Sequence, residues 1–251
     1  MSTPAAGLPP ELDAALTAVA GRRPLLVASD YDGVLARLRD DPSAAVPEPG
    51  IADTLARLAG HDGVQVALVS GRGVDDLRTT SGLSGPFHWV GSHGAEFDGP
   101  LAPELAARRD ALVDAVRPLV EGTPAARLEV KPASVAVHVR QVSDRSAAAD
   151  LLASVRALAD SSLTMKPGKD VLELAVTDAD KGSALRRLRS ELGAAGTLYL
   201  GDDVTDEDAF RALGDDDVTV KVGEGLTAAG HRVDDLPGAL GVLQRLADLL
   251  R

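Results

Sequence analysis

Apolar residues recur along this chain in two alternating rhythms. Leu12, Leu16 and Val19 fall at helical spacing, and Gly21 ends the helix they predict. Residues 24–29 form a short apolar run, read as a buried strand finishing at Asp30. Ile51, Leu55 and Leu58 make a second helical stripe, stopped by Gly60. Residues 65–69 and 88–90 are two further apolar runs, the first ending in Ser70-Gly71-Arg72 and the second in Gly91-Ser92-His93-Gly94. Short apolar strands alternating with amphipathic helices predict parallel βαβ units.

The rhythm changes after about Pro100. A long helix carrying Leu105, Leu112, Val116 and Leu119 leads to a strand near Leu128. In residues 134–140, Val135, Val137 and Val139 alternate with Ser134, Ala136, His138 and Arg140, the pattern of a strand with one polar face. A helix over residues 147–159 follows, then strands near Leu163 and at residues 171–175. From Asp180 the first pattern returns: a helix with Leu185, Leu188 and Leu192, a strand at residues 197–200 running into Gly201-Asp202-Asp203, a helix with Phe210 and Leu213, a strand at residues 218–222 and a last helix from Pro237. The expected fold is α/β, with a doubly wound (Rossmannoid) parallel-sheet core over residues 1–100 and 178–251. A small α+β domain is inserted over residues 101–177.

Composition narrows the function. The 251 residues are 45% hydrophobic and only 2% aromatic, so Leu, Val and Ala must fill the core. A formal net charge of −12 makes nucleic acid or an anionic membrane a poor partner. The absence of cysteine excludes disulfides, thiol nucleophiles and thiolate metal sites. Glu11 and Asp13 interrupt the region where a secretory signal needs an apolar segment, and no apolar run reaches the roughly 20 residues of a membrane span. A soluble, cytoplasmic monomer is expected.

The candidate chemistry lies at strand ends, where open parallel sheets bind their ligands. Asp30 and Asp32, Ser70, and the acids Asp202, Asp203 and Asp206 all follow expected strands. Converging carboxylates repel unless a hard cation neutralises them, and oxygen donors suit Mg²⁺. An Asp at a strand end can attack phosphorus, and an Asp two residues on can protonate the leaving alkoxide. Ser70 can offer a hydroxyl, and Lys181 a cation, to a transferring phosphoryl group. Each feature alone has a plain structural reading: Asp-Gly and Ser-Gly close ordinary turns, lysines cover surfaces, and Asp206, Glu207 and Asp208 suit a helix N-terminus.

Taken in order, these residues resemble the four motifs of the haloacid dehalogenase (HAD) superfamily, from about Pro24 to Leu240. A closer resemblance, to trehalose-6-phosphate phosphatases, rests on Asp30-Tyr31-Asp32-Gly33, Val69-Ser70-Gly71-Arg72 and Gly91-Ser92-His93-Gly94-Ala95-Glu96. It rests above all on Gly201-Asp202-Asp203-Val204-Thr205-Asp206-Glu207-Asp208-Ala209-Phe210. In the insertion, the runs Leu128-Glu129-Val130-Lys131-Pro132 and Gly168-Lys169-Asp170-Val171-Leu172-Glu173 look like that family's cap. Val34 and Ser92 depart from its more frequent Thr and Asn. The resemblance implies a HAD-like core with a cap that closes over it, and Mg²⁺-dependent hydrolysis of trehalose 6-phosphate through an aspartyl-phosphate. It implies Asp30, Asp32, Ser70 and Lys181 as catalytic residues. Mg²⁺ would be held by the side chains of Asp30 and Asp202 and the carbonyl of Asp32. Glu129, Lys131 and Glu173 would bind sugar hydroxyls, with Arg72 near the site.

Strand spacing supports the cap assignment: Glu129 and Lys131 share a face, and Glu173 points away from Leu172 and Leu174. The same face could equally be a solvated sheet with ion pairs. Sucrose phosphate and a glucosylglycerol-type phosphate are rival substrates, since the core motifs see only the phosphoryl group. A phospho-receiver or a silent regulatory module is the rival of another class; the acid two residues after Asp30 argues against the first, and intact Asp30, Asp32, Lys181 and Asp202 against the second.

Overall fold

The structure, a computed structural model, describes residues 7–250. Of these, residues 7–99 and 180–250 form one compact unit, and Pro100–Ala179 form a second.

The larger unit carries strands β1 (Leu25–Ser29), β2 (Val64–Val69), β3 (Phe87–Gly91) and β4 (Glu96–Phe97). Helices α1 (Pro10–Ala20), α2 (Ile51–Ala59) and α3 (Val74–Ser81) belong to this first segment. The smaller unit holds α4 (Pro103–Glu121), β5 (Arg127–Lys131), β6 (Ser134–His138), α5 (Arg145–Ala157), β7 (Thr164–Gly168) and β8 (Val171–Ala175). Back in the larger unit come α6 (Lys181–Leu192), β9 (Gly196–Gly201), α7 (Asp206–Ala212), β10 (Val218–Val222), β11 (His231–Val233) and α8 (Leu236–Leu249).

The large sheet runs β11-β10-β9-β1-β2-β3-β4, parallel throughout except for the antiparallel edge pair β3–β4. All five residues of β1 are buried because the sheet is covered on both faces. Leu25 and Val27 enter the cluster built with α1, α2 and α8, whereas Leu26 and Ala28 enter the opposite cluster with Leu185, Leu188 and Phe210. The period-2 alternation of a strand divides a continuous apolar run between two cores. From β1 the chain winds outward to β2 and β3, and later returns on the other side through β9 and β10. The crevice between the ends of β1 and β9 is thus a topological switch point. Asp30 follows one of these strands and Asp202 the other.

In the smaller unit an antiparallel sheet, β5-β6-β8-β7, packs against α4 and α5. The expected strands at residues 171–175 and 218–222 match β8 and β10 residue for residue. The helix expected over 147–159 starts two residues earlier, because the Asp144 carboxylate accepts the N–H groups of Ser146 and Ala147. No helix among the described residues is long and apolar enough to cross a membrane.

Candidate active site

Four loops at the carboxyl end of the large sheet bring Asp30, Asp32, Ser70, Arg72, Lys181 and Asp202 to the lining of one cavity of about 590 Å³. His93, Asp76, Asp203 and Thr205 line it too.

Asp30 is buried, and its Oδ1 accepts the N–H of Tyr31 at 2.7 Å. Lys181, the first residue of α6, reaches Asp30 Oδ2 and Asp206 Oδ1, at 2.8 Å each. Asp206 is completely buried. Its Oδ1 also accepts the Tyr199 hydroxyl at 2.6 Å, and its Oδ2 accepts the N–H groups of Asp202 and Asp203 at 2.9 Å. Four donors therefore fill the capacity of this carboxylate. From the sequence, Asp206 could belong either to the acidic cluster or to the first turn of its helix; its side chain is the hub that ties Lys181 to the Asp202 turn. Of its acidic neighbours, Glu207 anchors a loop by accepting the Ala228 N–H at 2.7 Å, while Asp208 is solvent-facing and pairs with Arg211.

Carboxylate oxygens of Asp30, Asp202 and Asp206 lie within 4.8 Å of one another. Asp202 Oδ1 is buried yet accepts no hydrogen bond from the described residues. An orphaned carboxylate oxygen inside a cluster of hard oxygen donors fits a cation such as Mg²⁺. The electrostatics record the crowding. Burial, reinforced by Asp206 and Asp202 and opposed by Lys181, pushes the Asp30 carboxyl up to about 8. Burial and then Asp206 push Asp202 up to about 6. A cation between them would relieve both.

Gly33 makes this approach possible. It sits at φ +80°, and a Cβ there would lie 1.9 Å from Asp202 Oδ2. Gly33→Ala is expected to lower stability by about 1–3 kcal/mol through the left-handed backbone alone, and to displace the Asp202 carboxylate. Thermal melting and phosphate release, read on the same preparation, should fall together; an unaltered melting curve would contradict the packing.

Arg72, expected near the substrate, grips Asp32 as a fork: Nε to Oδ2 at 2.7 Å and Nη2 to Oδ1 at 2.8 Å. Its remaining bonds go to Asp76 at 3.0 Å and the Pro42 carbonyl at 2.8 Å. Two of its five donors thus orient Asp32, and two more tie the guanidinium to Asp76 and Pro42. The Ser70–Arg72 turn is braced from the turn after β3, where Ser92 N–H donates to the Arg72 carbonyl and His93 N–H to the Ser70 carbonyl. Glu96 Oε2 accepts both Ser92 Oγ at 2.8 Å and the Val74 N–H at 3.2 Å. Ser92 and His93 both adopt positive φ, and the His93 ring lies where a Cβ on Gly71 would have to go. The His93 main chain thus fixes the loop, and the residue lines the cavity.

In the smaller unit, register puts Glu129, Ala136, Glu173 and Lys166 in one row across the sheet. Lys131 Nζ meets Glu173 Oε2 at 2.7 Å, and Ser134 donates to Glu173 Oε1 at 2.7 Å. His138 and Glu129 pair at 2.7 Å. Burial pushes the Glu173 carboxyl up, but the bonds from Lys131 and Ser134 outweigh it and hold it below the ordinary range. Leu172 and Leu174 are buried on the opposite face. Lys131, Ser134 and Glu173 therefore form one hydrogen-bonded group, and Glu129 with His138 forms a second on the same face.

A doubly wound sheet with an aspartate after β1, a lysine opening α6 and paired acids after β9 defines a phosphatase of the HAD fold class. The trehalose-phosphatase family model matches residues 28–226, and the chain belongs to that family of phosphoric monoester hydrolases. It is 36% identical, over 268 aligned positions, to the trehalose-phosphate phosphatase of Mycobacterium avium (strain 104), covering 96% of this chain and 67% of that protein. It is 34% identical to the bifunctional trehalose-6-phosphate synthase/phosphatase of Thermoproteus tenax, covering 91% of this chain and 32% of that one. The crystal structure of Aspergillus fumigatus trehalose-6-phosphate phosphatase superposes with a TM-score of 0.77 at 25% identity, over 98% of this chain and 99% of that one.

Proposed function

We propose that the protein hydrolyses trehalose 6-phosphate to trehalose and phosphate, depends on Mg²⁺ and proceeds through an aspartyl-phosphate on Asp30. The observation that carries this reading is the buried pairing of Asp30 with Lys181 beside the orphaned Asp202 oxygen, in a chain of this family.

Asp30 and Asp202 would hold the ion through their side chains and Asp32 through its carbonyl, with Asp206 acting as the brace. When bound, Mg²⁺ supplies charge neutralisation for the phosphoryl oxygens and the carboxylates. In the first step an Asp30 oxygen bonds to phosphorus as the bond from phosphorus to the sugar oxygen breaks. Asp32 gives that oxygen its proton. In the second step Asp32 takes a proton from water, whose oxygen attacks phosphorus and releases Asp30. Ser70 and Lys181 stabilise charge on the transferring group. Arg72 keeps Asp32 aimed at the leaving oxygen. The proposal assigns the sugar hydroxyls to Glu129, Lys131 and Glu173, whose mixed donors and acceptors suit them. It extends to a cytoplasmic monomer that uses neither nucleic acid nor membrane, in keeping with the net charge of −12.

The test is a panel of trehalose 6-phosphate, sucrose 6-phosphate and glucosylglycerol phosphate, with and without Mg²⁺. Trehalose 6-phosphate should give the highest kcat/KM, and only with the ion. A tenfold preference for another sugar phosphate would overturn the substrate assignment. On the same panel Glu173→Gln should raise KM for trehalose 6-phosphate about tenfold, the scale of one lost charge-assisted hydrogen bond. Its rate on p-nitrophenyl phosphate, which has no sugar, should stay unchanged.

A further inference from the structure

Strand β10 reads Val-Thr-Val-Lys-Val, and all five residues are buried. Its lysine, Lys221, is only 5% exposed. It lies in register between Gly201 of β9 and Arg232 of β11, and it is not part of the cavity lining. None of the steps above uses it. A buried ammonium is costly unless it is paired, yet of its three donors the one bond formed among the described residues goes to the main-chain carbonyl of Asp202. Its charge also acts on the Asp202 carboxylate, opposing the upward push of burial.

That bond completes a clamp. The Asp202 N–H is held by Asp206 Oδ2, and the Asp202 carbonyl is held by Lys221. Both ends of the residue are thereby fixed, and its side chain carries the orphaned Oδ1. Gly201 cannot provide a brace of its own, since a Cβ there would lie 2.3 Å from Asp206 Cγ.

We propose that Lys221 is a positioning residue for the divalent cation: it pins the Gly201–Asp203 turn so that Asp202 Oδ1 is aimed into the carboxylate cluster. This rests on the metal reading above, and it is tested without substrate. Mg²⁺ affinity of the full chain and of Lys221→Met is measured by calorimetry, alongside the melting temperature with and without the ion. Partners that orient a metal ligand typically contribute about 10- to 100-fold in affinity. Lys221→Met should accordingly bind Mg²⁺ at least about tenfold more weakly, and the melting increment produced by the ion should shrink. The metal-free melting temperature should hold or rise, because an apolar chain replaces a buried charge. Unchanged affinity would overturn the inference; so would tighter binding, which would make Lys221 a repelling charge. A wild-type chain that binds no Mg²⁺ overturns the metal reading itself, and is thereby told apart. Should Lys221→Met fail to fold, Lys221→Arg serves instead: its donors sit differently, so weaker Mg²⁺ binding is expected and wild-type affinity would refute the clamp.

Discussion

Replacing Asp30 by asparagine is expected to end phosphate release while leaving the fold intact. The amide keeps the shape of the carboxylate, and its oxygen can still accept the Tyr31 N–H that now binds Oδ1. It cannot form a bond to phosphorus. The drop in kcat should be about 10⁵-fold or more, the scale on which covalent catalysis collapses without its nucleophile. Two effects on stability then oppose each other. Burial pushes the Asp30 carboxyl up to about 8. A carboxyl raised above its ordinary range opposes folding once the pH exceeds that range, because the unfolded chain ionises more readily, and the neutral amide removes that penalty. Against it, the amide gives up the ion pair with Lys181 and turns an N–H toward that ammonium, which keeps Asp206 as its partner. The metal-free protein should therefore still melt cooperatively. Turnover within tenfold of the wild type, measured at saturating substrate and Mg²⁺, would dismiss Asp30 as nucleophile.

The frame of this fold was legible because buried parallel strands write themselves as unbroken apolar runs. Residues 24–29 could be placed with no knowledge of their neighbours, and so could 218–222, where three valines outweigh Thr219 and Lys221. Helix α3 escaped because Val74 and Leu77 are the only large apolar residues among its eight, too few to set a period. Strand β11, His231–Val233, escaped because it is short, polar and at the sheet edge. Asp30, Asp32, Ser70 and Asp202 stood out by their position after strands, which the topology gathers automatically, and Lys181 by opening a helix. What joins them was not legible. The Arg72–Asp32 fork spans 40 residues and the Lys181–Asp206 bond 25, so both depend on which strands are neighbours. Asp206 carried a weak clue, standing four residues after Asp202 at the mouth of a helix, but the helix dipole explained it equally well. Lys221 had one too, since a lone lysine inside a run of valines and threonine has to find a partner.

Lys181 should be the most expensive side chain to remove from the core. It is 2% exposed and bridges two buried carboxylates at 2.8 Å. Burial pushes its ammonium down, but Asp30 and Asp206 outweigh burial and hold it above the ordinary lysine range. Lys181→Met would preserve volume and strand both carboxylates. Breaking one side of a buried ion pair costs about 3–5 kcal/mol. In a chain of this length that corresponds to a fall of roughly 10 °C in Tm. Phosphate release should drop by about 10²–10³-fold, as the transferring group loses a preorganised charge. The two effects are separable. Adding Asp206→Asn to Lys181→Met removes one of the stranded charges, so the double variant should regain part of the lost stability while its activity stays low. Coupling between the two positions should reach about 1.5 kcal/mol or more, the range for residues in one buried network. Strict additivity in Tm would mean that the two side chains do not share a charge balance. The assignment of Asp206 as the brace behind Lys181 and Asp202 would fall with it.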